Sequence, residues 1–119
     1  KTVLVGFSQG TMMSLHVGLR RTTPLAGIIG FSGMLAAPDA LGAEIKSRPP
    51  VLLLHGDSDE MLPHMLTERA AEVLRQHGVK TRMHIAQGVG HGIDQTGLSH
   101  AARFLLESFQ LPMPQGAEQ

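Results

Sequence analysis

Residues 6–10, Gly6-Phe7-Ser8-Gln9-Gly10, form a G-x-S-x-G segment. That spacing suits a serine nucleophile on a sharp strand-to-helix turn, which lifts its hydroxyl above a sheet. Glycines two before and two after the serine let strand and helix backbones approach closely. The start of the following helix offers N–H groups to a developing oxyanion, and Gln9, directly after the serine, is the expected donor. The competing reading is that Ser8 merely caps the helix. Downstream, His55-Gly56-Asp57-Ser58-Asp59-Glu60-Met61-Leu62-Pro63 supplies carboxylates. A serine nucleophile needs one carboxylate to orient its imidazole base, and Asp57, Asp59 and Glu60 all qualify by chemistry. The other two are then turn formers or caps.

A base that must reach a serine belongs on a short, tightly turned loop, and His91 lies between Gly90 and Gly92. The other histidines fit less well. His16 and His100 fall mid-helix, His64 at a helix start, His77 at a helix end and His84 within a strand, while His55 reads as a packing residue at a strand end. No histidine pair has H-E-x-x-H spacing and the chain has no Cys, so neither a metal nor a cofactor is expected. Gly88-Val89-Gly90 begins like a dinucleotide loop, but Ile93 stands where its third glycine belongs.

These residues need a scaffold. Short apolar runs at Thr2–Phe7, Ala26–Phe31 and Val51–His55, with an alternating one at Lys80–Ala86, predict four strands. Gln9–Arg20 predicts a helix surrounded by apolar residues (Met12, Met13, Leu15, Val17, Leu19), with Arg20 and Arg21 at its carboxyl end. Ser32–Pro50 predicts a loop with at most one short helical turn. Pro63 is placed as the first residue of a second helix that runs to Gly78. Leu98, Ala101, Ala102, Leu105, Leu106 and Phe109 mark a final helix, stopped by Pro112. The expected fold class is therefore α/β, an open parallel sheet of about four strands with flanking helices. Ligands of such sheets bind beyond the strands' carboxyl ends, where Ser8, the acidic segment and His91 all fall.

Composition narrows the function. In 119 residues, 42% are hydrophobic and 17% charged, as expected of a globular chain. Ten basic residues balance ten acidic ones, which argues against a phosphate-neutralising nucleic-acid binder. No Trp, no Tyr and four Phe leave little for base stacking. No apolar run approaches the ~20 residues of a membrane span, and no signal-peptide pattern opens the chain, so a cytoplasmic location is expected. The chain starts at Lys1, inside a strand, as a piece of a longer protein would.

Four segments in order carry a family resemblance. Val5-Gly6-Phe7-Ser8-Gln9-Gly10, Phe31-Ser32-Gly33-Met34-Leu35, the His55–Pro63 segment and Gly90-His91 resemble the phospholipase/carboxylesterase family of α/β-hydrolases, which includes acyl-protein thioesterases and small bacterial carboxylesterases. The resemblance covers about residues 2–110 and the C-terminal half of the family's fold. It implies a truncated α/β-hydrolase domain over residues 1–111 with a frayed tail at 112–119. It further implies a serine carboxylesterase acting on a small-molecule ester, with Ser8 as nucleophile, His91 as base and Asp59 as acid, Asp59 holding the acid position of the family's H-G-x-x-D-x-x-V/L-P. Met12, Met34, Leu35, Met61 and Leu62 are candidate walls of an acyl pocket. The family's H-G-x-G-like loop, source of a second oxyanion N–H, has no match here. A half of this kind is expected to self-associate through the free edge of Thr2–Phe7, or to lack its N-terminal partner. A catalytically weak half serving as an assembly or binding module is the alternative.

Overall fold

The computed structural model describes residues 2–110. Four strands form one parallel sheet in the order β1 (Val3–Phe7), β2 (Gly27–Phe31), β3 (Val51–Gly56), β4 (Thr81–Ala86). The α/β class and the four-stranded parallel sheet are as expected. Strand register places Phe7 beside Phe31, Phe31 beside Leu54 and Gly56 beside Ala86. The four carboxyl ends thus share one rim, and the loops that leave them stand side by side.

Alternation along the buried strands splits the core into two layers. Ile28, Val51 and Leu53 pack with Leu15, Leu19, Leu41, Ala70 and Leu74, which belong to or adjoin α1 (Gln9–Gly18), α2 (Leu41–Glu44) and α3 (Met65–Gln76). Ile29, Phe31, Leu52 and Leu54 pack on the other face against Ala101 and Phe104 of α4 (Gln95–Ser108). Every connection between neighbouring strands crosses the first face, the arrangement that a single hand of βαβ winding produces. β2 and β3 are buried along their whole lengths, which is why their sequences read as continuous apolar runs.

Three expectations about the elements need correction. α3 begins at Met65 rather than at Pro63: Leu66 N–H donates to Pro63 O in a tighter turn, and the regular ladder starts with Glu68 N–H donating to His64 O. α1 ends at Gly18 and is not packed all round: Met13 and Val17 are exposed while Thr11, Leu15 and Gly18 face the sheet. Arg20, just past its end, still serves the carboxyl terminus by donating to the His16 carbonyl at 3.0 Å. Leu35 is 5% exposed and belongs to the core layer with Leu15 and Leu41. Within 32–50 the chain exceeds the single short helical turn expected, forming a 3-10 turn at Pro38–Ala40 that leads into the separate helix α2. The tail predicted to fray, 112–119, lies outside the described residues. β1 hydrogen-bonds to β2 alone among the described residues, and its Val5 and Phe7 are exposed. No helix among the described residues is long and apolar enough to cross a membrane.

Candidate active site

Ser8 occupies the step from β1 into α1 with φ 57° and ψ −114°. These angles match the first central residue of a type II′ turn, a conformation glycine adopts freely and serine adopts at a cost of about 1–3 kcal/mol. The surroundings hold it there. Ser8 N–H donates to Phe31 O at 2.8 Å, and Thr11 Oγ1 donates to the same carbonyl at 2.8 Å. Although Ser8 sits at the N-cap position, its hydroxyl makes no capping bond. The helical ladder begins with Thr11 and Met12 N–H donating to Ser8 O, so the N–H groups of Gln9 and Gly10 lie ahead of it.

The two motif glycines differ. A Cβ on Gly6 would overlap the backbone of Gly10 and Thr11, whereas one on Gly10 meets nothing within 4 Å among the described residues. Close approach of strand and helix therefore rests on Gly6. Gly6→Ala is expected to lower the unfolding free energy by about 1–3 kcal/mol or more, the cost of forcing an atom into a packed site. Gly10→Ala should leave it nearly unchanged. Urea denaturation of the two variants checks this, and equal losses would contradict it.

The candidate acid lies in the turn after β3. Asp59 has its side chain fully buried, and its Oδ1 accepts the N–H groups of Met61 at 2.9 Å and Leu62 at 2.8 Å. Burial by itself raises the carboxyl's pKa. The Leu62 N–H, the His91 imidazole and the Met61 N–H together outweigh it and hold the group below the ordinary carboxylate value. Asp57 does different work: its Oδ1 accepts from Gly88 N–H at 2.8 Å, tying this turn to the loop after β4. Ser58 N–H donates to Val89 O at 2.9 Å across the same gap. Gly56 lets the loops meet, since a Cβ there would strike the carbonyl oxygens of Val89 and Gly90. Glu60 is exposed.

This bracing delivers His91 to the rim. Its Nδ1 is 2.6 Å from Asp59 Oδ2 and its Nε2 is 3.1 Å from Ser8 Oγ. An ionised carboxylate only accepts, so Nδ1 carries the proton and Nε2 is free to accept from the Ser8 hydroxyl. The Phe7 ring packs on the imidazole with centroids 4.9 Å apart. Three side chains spread over 83 positions thus make one hydrogen-bonded chain, in which a hydroxyl can lose its proton to an imidazole that a buried carboxylate orients.

The structure brings together Ser8, Asp59 and His91, with Gln9 N–H beside the serine. Of the candidate wall residues, Met61 is 74% exposed, and Met12, Met34 and Leu62 are half-buried. Cavities at the strands' amino ends or beside β4 are lined by residues such as Pro50, Phe104 and Glu107, by Pro24 and Phe109, or by Arg75, His84 and His100. None of them includes Ser8, Asp59 or His91. Among the described residues, no group of three His, Asp or Glu could hold a metal ion. Sequence reasoning missed Phe7 and Thr67. Phe7 follows Val3 and Val5 in the outward alternation of β1, a signal that marks its face but not the imidazole it meets. Thr67 lies on the apolar stripe of α3, and nothing in the sequence marks it.

Comparison with known proteins agrees with this fold. The chain is 33% identical over 117 residues to acyl-protein thioesterase 1 of Gibberella zeae, covering 94% of this chain and 49% of that protein. It superposes on the crystal structure of esterase PE8 with a TM-score of 0.87 and 54% identity, covering 89% of this chain and 49% of the other. Arabidopsis thaliana SOBER1, at 23% identity and a TM-score of 0.84 over 90% of this chain and 52% of its own, shares the fold. The chain therefore spans about half the length of the relatives it matches. A phospholipase/carboxylesterase family model matches residues 1–108, the stretch that carries Ser8, the Asp59 turn and the His91 loop. With nearly its whole length matched, the chain belongs to the phospholipase/carboxylesterase family.

Proposed function

We propose that this chain carries the site of a serine hydrolase that cleaves carboxylic esters or thioesters through an acyl-enzyme on Ser8. The observation that carries the reading is the continuous chain from Ser8 Oγ through His91 to Asp59 Oδ2, at 3.1 and 2.6 Å. Ser8 Oγ attacks the substrate carbonyl carbon as His91 Nε2 takes its proton, and the negative charge moves to the carbonyl oxygen beside Gln9 N–H. Collapse of this intermediate breaks the bond to the alcohol or thiol, which leaves with the proton from His91. Water then attacks the acyl-serine, His91 again takes a proton and returns it to Ser8 Oγ, and the carboxylic acid departs. Asp59 keeps Nδ1 protonated throughout and stabilises the imidazolium that forms at each step.

The names of the relatives, an acyl-protein thioesterase and an esterase, support the substrate class. Met12, Met34, Met61 and Leu62 form one apolar side of the approach to Ser8 in this reading. A fluorophosphonate probe tests the nucleophile, because it phosphonylates only a serine that a neighbouring base activates. The protein as its gene encodes it is expected to label once, on the peptide that contains Ser8. A folded sample that stays unlabelled would overturn the reading and favour a binding module.

A further inference from the structure

We propose that His55 is the positioning residue for the Asp59 carboxylate, anchored from behind by Thr67; this rests on the assignment of Ser8, His91 and Asp59 made above. His55 is 2% exposed at the end of β3. Its Nε2 lies 2.8 Å from Leu62 O and 3.2 Å from Asp59 Oδ2. Both neighbours are acceptors, so Nε2 carries a proton. On the other side of the ring, Nδ1 is 2.6 Å from Thr67 Oγ1 on α3, and that hydroxyl is also 3.0 Å from Gly33 O, its one proton serving one of the two contacts. Gly33 packs against the serine turn, since a Cβ on it would come 2.9 Å from Ser8 O. The polar contacts thus run from Ser8 through His91, Asp59, His55 and Thr67 and back to the loop against the nucleophile.

Physical need explains the arrangement. Oδ1 of Asp59 is fixed by two backbone N–H groups of its own turn, but Oδ2 must set the His91 ring, which sits on a glycine loop. A carboxylate held on that side only by the group it orients would let both drift. From a buried strand, His55 sets its Nε2–H edge 3.2 Å from Oδ2. It also pins the Leu62 carbonyl, while Leu62 N–H holds Oδ1, so both backbone groups of Leu62 close the turn. Thr67 stops the His55 ring from rotating away. Loss of such support displaces a reacting group, and a misplacement near 1 Å costs about 10²-fold in rate.

The test compares His55→Leu, His55→Gln and Thr67→Val with wild type and Ser8→Ala, in the protein as its gene encodes it, on a short-chain p-nitrophenyl ester. His55→Leu is expected to lower kcat about 10²-fold with KM within about twofold, and Thr67→Val about 10-fold. His55→Gln, whose amide N–H can reach the same acceptors, should recover most of the loss. The low-field proton resonance of His91 Nδ1–H should broaden or vanish in His55→Leu and persist in His55→Gln, a change that lost packing alone would not produce. Should His55→Leu fail to fold, Thr67→Val and the resonance decide. Wild-type kcat in both His55→Leu and Thr67→Val, with the resonance intact and Ser8→Ala inactive, would overturn the proposal and leave the nucleophile assignment standing. An active Ser8→Ala would remove that assignment, and this inference with it.

Discussion

Ser8→Ala is expected to lower kcat for a p-nitrophenyl ester by about 10⁶-fold, the loss seen when a triad nucleophile is removed. The size of the effect follows from what the hydroxyl does. It makes no capping bond for α1, and its partner is His91 Nε2 at 3.1 Å. Substitution by alanine therefore removes the atom that would form the acyl bond and leaves the bonds of the turn, Ser8 N–H to Phe31 O among them, in place. Thermal stability should stay within a degree or two of wild type, because no buried group loses its only partner and the backbone keeps its positive φ. That pairing of effects is diagnostic. A serine that merely capped a helix would show the reverse, a stability loss of about 1 kcal/mol with little change in rate. Steady-state hydrolysis and a melting curve on one preparation read both quantities, and a variant that retains a tenth of wild-type turnover would end the nucleophile assignment.

Why this much could be read from the chain, and no more, is a matter of range. The strand Val51–Gly56 announces itself through the run Val51–Leu54, because a strand covered on both faces favours apolar side chains, and the structure buries all six residues. The Gly6–Gly10 spacing is legible because the turn it builds is local, and Gly6 must lie against the helix that follows at once. Legibility fails where a distant group decides. The fold of the 59–62 turn depends on Asp59 drawing two N–H groups toward its carboxylate, which a helix rule centred on Pro63 does not contain. Leu35 is apolar beside a candidate site, and periodicity does not distinguish a wall from the core layer it joins. Met13 and Val17 look packed for the same reason: composition says that they are apolar, not what covers them. His55 reads correctly as buried at a strand end, yet its tie to Asp59 depends on how the 59–62 turn folds back over β3. Among Asp57, Asp59 and Glu60 the chemistry is equal, and only the geometry of that turn and the loop after β4 brings one of them to His91.

Asp59→Asn should be the second most damaging change, with kcat reduced about 10⁴-fold and the fold retained. An asparagine side chain fits the same space, and its carbonyl oxygen can still accept the N–H groups of Met61 and Leu62. Its NH₂ then faces His91 Nδ1 where Oδ2 stood, and two donors cannot share that contact. The imidazole is pushed toward the tautomer with Nδ1 bare and Nε2 protonated, which cannot take the Ser8 proton. The same substitution alters how stability depends on pH. The folded carboxyl lies below its ordinary value, and the unfolded chain's Asp titrates near ~3.9. Between that value and the lower folded one, the unfolded state binds more protons, so acidification draws the equilibrium toward unfolding. The stability contributed by the ionised Asp59 is complete well above ~4 and is lost as the pH falls through the folded value. Wild type should therefore lose more unfolding free energy than Asp59→Asn between pH 6 and pH 3. Urea titrations of both proteins at the two pH values measure the difference. Parallel losses would mean that the carboxylate is not held in its charged form by the Leu62 and Met61 N–H groups and the His91 ring, and a rate within tenfold of wild type would mean that it does not orient the base.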